Sequence, residues 1–409
     1  MKEGYKKTEV GVIPEDWKVC LLSDIAEINP KKEILENHEN VSFLAMEQVS
    51  NSGRILNVYL REYEEVSKGY TPFKNNDVLL AKITPCFENG KRALVKNLNT
   101  KIGFGSTEFH VLRNLEQESI PEYLYYCISA HRFREHAQLN MTGSAGQKRV
   151  PTTFLKEYKL AVPPLEEQEK IADILSTVDG QIDDTEMLIE KCQGLKKGLM
   201  QRLLTKGIGH TEFKKTEVGE IPVDWEVKKL EDVSYITMGQ SPSSDSYNDK
   251  GIGVPFFQGN SEFGNIYPTV KKWCSEPKKI AEPLDILISV RAPVGAVNIN
   301  NDRACIGRGL ASIRQSNKIN YMYLYYVLSI SQDILNSSAQ GSTFTAINSK
   351  DLKNFKIAIP SLDEQLKIAQ ILLSLDNNIE DYKNKKEKLE ELKKGLMQQL
   401  LTGKIRTSI

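Results

Sequence analysis

The residues best suited to chemistry in this sequence are cations. Between positions 82 and 101 stand Lys82, Lys91, Arg92, Lys96 and Lys101, with Glu88 as their one acid. The run Gly143-Ser-Ala-Gly-Gln-Lys-Arg149 places Lys148 and Arg149 beside a small-residue loop. In the second half Arg291, Arg303, Arg308 and Arg314 are accompanied by Asp302 alone, and Gly341-Ser-Thr-Phe-Thr-Ala is followed by Lys350 and Lys353. Such side chains, with loop amides, bind phosphate. A solvated charged surface has the same composition.

Catalytic arrangements are not found beside them. An adenine methyltransferase needs an Asn/Asp-Pro-Pro-aromatic tetrad to hold a flipped base, and Asn29-Pro30 is followed by Lys31-Lys32. Gly251-Ile-Gly253 runs into Val-Pro rather than a helix, so it lacks the context of a cofactor loop. No GxxxxGK[ST] phosphate loop occurs. Pro14-Glu-Asp-Trp-Lys18 looks like a nuclease fragment, but its second copy, Pro222-Val-Asp-Trp-Glu226, loses the lysine. Of the five histidines, His131 and His136 are close, at a spacing that does not place both on one helical face. The expectation is a protein without catalytic residues, cofactor or metal.

The elements that must position the cations are two long helices. From Pro163 the chain reads PPLEEQEKIADILSTVDGQIDDTEMLIEKCQGLKKGLMQRLLT, without another proline. Stepping three and four from Ile171 gives the seam Ile171, Ile174, Val178, Gln181, Thr185, Leu188, Cys192, Leu195 and Leu199. About forty helical residues span roughly 60 Å, too long for a small domain, so a partner helix is required. Pro360–Gly403 supplies it, repeating LxEQxKIAxIL and LKKGLMQxLLT. Its seam is Ile368, Ile371, Leu375, Asn378, Tyr382, Leu389, Leu392 and Leu396, and Ser361 with Glu364 reads as a capping box. Two equal helices separated by a globular insertion predict an antiparallel pair, a rod with a domain at each end.

The globular parts are also duplicated. KKTEVGVIPEDWKVCLLSDIAEI, from Lys6, returns as KKTEVGEIPVDWEVKKLEDVSYI, from Lys214. Trp17 and Trp225 read as anchors of a domain edge. Asn76-Asp-Val-Leu-Leu answers to Leu284-Asp-Ile-Leu-Ile, and Tyr123-Leu-Tyr-Tyr to Tyr323-Leu-Tyr-Tyr. Strands are predicted at Asp77–Lys82, Glu108–Leu112, Lys159–Val162, Asp285–Val290, Leu310–Arg314 and Lys356–Ile359. Helices are predicted at Pro121–Ala137 and Ile319–Asn336, with tyrosines facing the core rather than stacking on bases. Each half is α+β or mixed α/β. Net charge is zero and 40% of residues are apolar, which suits a soluble globular chain. No apolar run is long enough to span a bilayer, and Met1–Gly11 lacks a signal core, so the cytoplasm is expected. The six cysteines, Cys20, Cys86, Cys127, Cys192, Cys274 and Cys305, are scattered, which fits reduced thiols.

The duplicated plan, with the LxEQxKIA and LKKGLMQxLLT phrases, resembles the specificity subunit of type I restriction–modification systems over essentially the whole chain. The resemblance implies target-recognition domains at 1–162 and 207–359, and conserved long helices at 163–206 and 360–405, the helices forming an antiparallel coiled coil with pseudo-two-fold symmetry. Each domain would read half of a split, asymmetric DNA target. The helical pair would set the unread spacer and dock two methyltransferase subunits, with motor-nuclease subunits joining. DNA contacts are expected from Lys91, Arg92, Lys148 and Arg149 in the first domain, and from Arg291, Arg308, Thr343 and Lys350 in the second. Docking is expected at Leu195, Leu199, Leu203, Leu392, Leu396 and Leu400. The competing reading is a coiled-coil scaffold or adaptor without DNA specificity.

Overall fold

The computed structural model describes residues 3–33, 39–144, 146–340 and 346–407. It divides into two compact units, Met1–Glu186 with Asn384–Ile409, and Met187–Lys383. The central helix, Leu165–Lys206, and the C-terminal helix, Leu362–Leu400, each contribute one part to each unit.

In the first unit, one antiparallel sheet has the order Ala26–Ile28, Phe109–Asn114, Val78–Ala81, Arg92–Leu94. A second has the order Tyr59–Glu62, Asn40–Leu44, Gly103–Gly105, Thr71–Phe73, with a parallel pair at its centre. Successive strand residues face opposite sides. Val78 and Leu80 enter the core shared with the helices, whereas Leu79 and Ala81 enter the core shared with Phe73 and Leu44. A strand covered on both faces reads as a continuous apolar run, which is why Val-Leu-Leu-Ala is legible as a strand.

The second unit repeats the plan. Its first sheet runs Ser234–Met238, Leu310–Gln315, Ile286–Ser289, Val297–Ile299. Its second runs Tyr247–Asn248, Trp273–Cys274, Val254–Phe257, Ala304–Ile306, Ile280–Ala281, again with a parallel central pair. Among the described residues the strand Tyr247–Asn248 has no counterpart in the first unit's sheet. Both predicted tyrosine helices are broken. Ala130 is extended and separates Pro121–Ser129 from His131–Leu139, and Ser331 separates Tyr321–Ile330 from Gln332–Gln340. The bend returns Phe133 and Leu335 to the cores.

The start of each long helix is clamped to its unit in the same way. Trp17 is fully buried and its indole donates to Glu167 Oε2 at 2.9 Å; Trp225 donates to Glu364 Oε2 at 3.0 Å. The next residue holds the loop before the tyrosine helix. Gln168 accepts from the Ile120 amide at 3.2 Å and Gln365 from the Asn320 amide at 2.8 Å. Each then donates to the carbonyl of the proline before its helix. The predicted capping box is therefore half formed. Ser361 Oγ caps the Glu364 amide at 3.3 Å, but the Glu364 carboxylate serves Trp225, His210 and the Ile208 amide.

Further along, a second repeated device joins the helices. Tyr126 donates to Asp179 at 2.8 Å, and Lys393 lies 2.5 Å from that carboxylate. Tyr326 donates to Asp376 at 2.7 Å, and Lys196 lies 2.5 Å from it. Burial pushes both phenols well above their usual range, so they remain donors. Lys196 and Lys393 occupy the same place in the LKKGLMQ phrase, so that repetition has a structural reason. In the first unit, the step from Asp179 to Glu186 is matched by a backward step from Lys393 to Lys386, so the helix segments run antiparallel.

Half of the predicted seam is displaced by one residue. Ile171, Val178 and Thr185 face inward, but the intervening inward positions are Leu175, Ile182 and Ile189 rather than Ile174, Gln181 and Leu188. The C-terminal helix does the same, burying Leu372 and Ile379 and leaving Ile371 and Asn378 exposed. Near their starts the helices also pack on globular cores through Ala172 and Ala369, which turns the buried stripe away from the three-then-four step. Leu175→Ala and Leu372→Ala should each cost about 2–5 kcal/mol. Ile174→Ala and Ile371→Ala should each cost less than about 1 kcal/mol. Urea denaturation of the four variants checks this; equal losses would restore the original seam.

Candidate nucleic-acid interface

At one end of each unit the loops that follow the central strands are sewn together by matching backbone hydrogen bonds. In the first unit the Lys82 amide donates to Glu108 O at 2.9 Å, and the Val150 amide to Lys82 O at 2.9 Å. In the second, the Val290 amide donates to Gly309 O at 2.9 Å, and the Ile347 amide to Val290 O at 3.0 Å. Bridges Ile83–Arg149 and Arg291–Ala346 occupy the same place. Most of the predicted cations gather here. Lys91 Nζ donates to Met46 O at 2.9 Å, Lys148 is exposed, and its carbonyl accepts from the Thr84 amide at 2.9 Å. Arg149 forks onto Glu108 at 2.7 and 2.9 Å, which holds that carboxyl below its usual range.

The loops correspond, but their charges do not. Arg291 stands where the first unit has Ile83, and Ala346 where it has Arg149. What recurs in the two units is the loop pattern and not the basic positions. Arg291, Arg308 and Lys350 are exposed. Lys350 lies in the first turn of Ser349–Asn354, where Asn348 Oδ1 caps its amide at 2.8 Å. Thr343, with its glycine-serine loop, lies outside the described residues.

Other cations serve the fold. Arg113 makes a two-pronged bond to buried Asp77 at 2.8 Å on each prong, and Arg314 does the same to Asp285 at 2.8 and 3.0 Å. Arg92 departs from the predicted DNA set. It is buried, donates to Ser129 Oγ and to Gly90 O at 2.8 Å, and lies over the Tyr125 ring. His110 is likewise structural. Burial lowers its pKa, and its Nε2 lies 2.8 Å from Val150 O.

Sequence reasoning missed a polar clasp in the second unit. Ser241 Oγ lies 3.0 Å from Gln258 Nε2 and accepts the Arg308 amide at 3.2 Å. Gly239, Gly307 and Gly309 let the three loops pack backbone to backbone; a Cβ on Gly309 would sit 2.6 Å from Gln258 O. The signal was the glycine-flanked polar triplets Gly-Gln-Ser241, Gln-Gly-Asn260 and Gly-Arg-Gly309. The clasp fixes the base of Arg308 while its side chain stays exposed, as does neighbouring Gln240. Arginine and glutamine in such a setting can reach base edges.

The six leucines of the predicted docking set fall into three classes. Leu195 and Leu392 are exposed, at 54% and 50%. Leu199 and Leu396 are partly buried against the cores. Leu203 and Leu400 are buried, at 7% and 3%, which leaves them little surface for a partner. Among the described residues no group of three or more His, Cys, Asp or Glu is arranged to hold a metal, and no helix is long and apolar enough to cross a membrane.

Gly309→Ala should force the Gln258 backbone aside and loosen the clasp, whereas Gly259→Ala meets no atom within 4 Å. Hydrogen exchange at residues 239–241 and 307–309 should accelerate at least tenfold in the first variant and stay unchanged in the second.

A family model described as the type I restriction modification DNA specificity domain matches twice, over residues 14–192 and 222–391. The putative type I restriction enzyme MjaX specificity subunit of Methanocaldococcus jannaschii is 39% identical over 99% of this chain and 97% of its own length. The type I restriction enzyme MjaVIII specificity subunit of the same organism is 30% identical over 99% and 96%. A solved chain from work on complex assembly and conformational transition of the type I R-M system superposes with a TM-score of 0.60 at 26% identity, covering 96% of this chain and 99% of that one. The type I restriction-modification S subunit from M. genitalium shares the fold, with a TM-score of 0.62 at 18% identity over 94% and 96%.

Proposed function

The chain belongs to the specificity subunits of type I restriction–modification systems, and from that membership we propose that each unit reads one half of a split, asymmetric DNA target through its sewn loop end. The observation that carries this reading is the pairing of one loop scaffold with two different sets of cations. A palindrome-reading homodimer presents the same residues twice; this chain presents Lys91, Lys148 and Arg149 in one unit and Arg291, Arg308 and Lys350 in the other. The lysines and Arg149 contact phosphates. Arg308, anchored by the clasp, reads a base edge, for which guanine O6 and N7 are the fitting partners.

The chain acts as the targeting subunit without catalysing a reaction, in the cytoplasm. Its partners are two methyltransferase subunits and the motor-nuclease subunits. The methyltransferase subunits dock on helix surface that the units leave uncovered, which includes Leu392 in the first unit and Leu195 in the second. The helix length sets the unread spacer.

Two measurements test this. DNA binding by the complex with its methyltransferase should weaken steeply with salt, and Lys148→Ala should reduce the salt slope by about one without changing sequence preference. Arg308→Ala should instead relax discrimination at one base pair by roughly tenfold or more. A complex whose DNA binding is indifferent to salt and to both substitutions would return the scaffold reading to first place. Separately, Leu195→Asp and Leu392→Asp should abolish co-purification with the methyltransferase while leaving the thermal midpoint of the free chain unchanged. Normal assembly of both variants would exclude these residues from the docking surface.

A further inference from the structure

The first unit contains two arginines whose hydrogen bonds leave their charge unmatched. Arg92 is about nine-tenths buried, yet its bonds go to neutral oxygens, Ser129 Oγ and Gly90 O. Arg134 donates to Glu88 O at 2.8 Å, and its Nε is buried without a hydrogen-bond partner. Glu88 turns its carboxylate to Thr84, 2.9 Å away, rather than to either guanidinium. Among the described residues no carboxylate pairs with Arg92 or Arg134. Burial and the neighbouring Arg92 charge both lower the pKa of Arg134. Burying cations without counter-charge is costly, and the Tyr125 ring under Arg92 offsets only part of it.

Both arginines line a cavity of about 790 Å³ in the same unit. Its other side is the end of the C-terminal helix, with Met397 and Leu401 as apolar wall and Lys394 and Lys404 as further cations; Glu390 is the acid on its lining. The size falls within the range of small-molecule sites, about 300–1,000 Å³, and apolar walls with a few convergent polar groups are their usual make-up.

The second unit shows that the scaffold does not need this pair. Arg92 pairs with Leu80 in its sheet, and the residue in the same register of the second unit, opposite Ile288, is Val297. The helix Gln332–Gln340, which answers to His131–Leu139, carries no arginine or lysine. A protein docking alike on both units would have no use for a feature found in one.

We propose that this cavity binds a small phosphate-bearing molecule, with its phosphate between Arg92 and Arg134 and its apolar part against Met397 and Leu401. The cavity lining includes none of Lys91, Lys148 or Arg149, so the proposal stands apart from the reading of function above. The test is calorimetric titration of the full chain with AMP and with pyrophosphate at constant ionic strength. AMP should bind saturably at one site per chain, and more tightly than pyrophosphate because the apolar wall takes the base. Arg134→Gln, at a half-buried position, should weaken AMP at least tenfold while leaving the thermal midpoint of the free chain unchanged. Arg92→Val, which installs the second unit's residue, should also weaken AMP at least tenfold. Absence of saturable AMP and pyrophosphate binding, or equal binding by Arg134→Gln, overturns the proposal. So does displacement of AMP by duplex DNA or by an acidic peptide, since either would make the recess a macromolecular contact.

Discussion

Two carboxylates, Glu167 fully buried and Glu364 largely so, fix where the long helices begin. A carboxylate removed from water must be met by donors, and each is met from its own unit. Glu167 receives the Trp17 indole and the Arg406 guanidinium, which reaches Asp16 as well. Glu364 receives the Trp225 indole, the Ile208 amide and His210 Nε2. One helix therefore starts against the turn where the other ends, and Gly207 and Gly403, both left-handed, make those turns. Any rotation of a helix start would leave a charge in the core without partners. The glutamine that follows ties the same helix to the loop before the tyrosine helix. Downstream, the Tyr–Asp–Lys triads continue the hold.

That shared frame explains how the two units can differ so much at their loops. The frame depends on a few side chains that occur twice, whereas the sewn loop ends depend on backbone hydrogen bonds, which residues with almost any side chain can make. Arg291 can take the place of Ile83, and Ala346 that of Arg149, without a change in the backbone pattern. A specificity subunit needs this separation, because its reading surface must vary while its partner-facing helices do not.

The sequence made much of this legible, and the reasons it failed elsewhere are physical. The continuous apolar strands, the forty-residue helices and the tyrosine cores follow from local pattern. The one-residue error in the seam arose because the helices bury a stripe against globular cores as well as against each other, which a two-helix heptad does not describe. Arg314 looked like a surface cation because sequence does not show Asp285 across a sheet, and Arg92 because it does not show Ser129. Glu364 was taken for a capping residue because its true partner, Trp225, lies far away in the chain. The clasp of Ser241, Gln258 and Arg308 joins three distant triplets, each ordinary alone.

The central claim is that each unit reads its own half-site. The most direct measurement is a map of N6-methyladenine in host DNA carrying this chain with its methyltransferase, set beside the map for a chimaera whose residues 234–348 come from a relative. The account predicts a split motif with two unlike halves, of which the chimaera changes one and keeps the other half and the spacer. A contiguous palindrome, or a chimaera that alters both halves together, would contradict it.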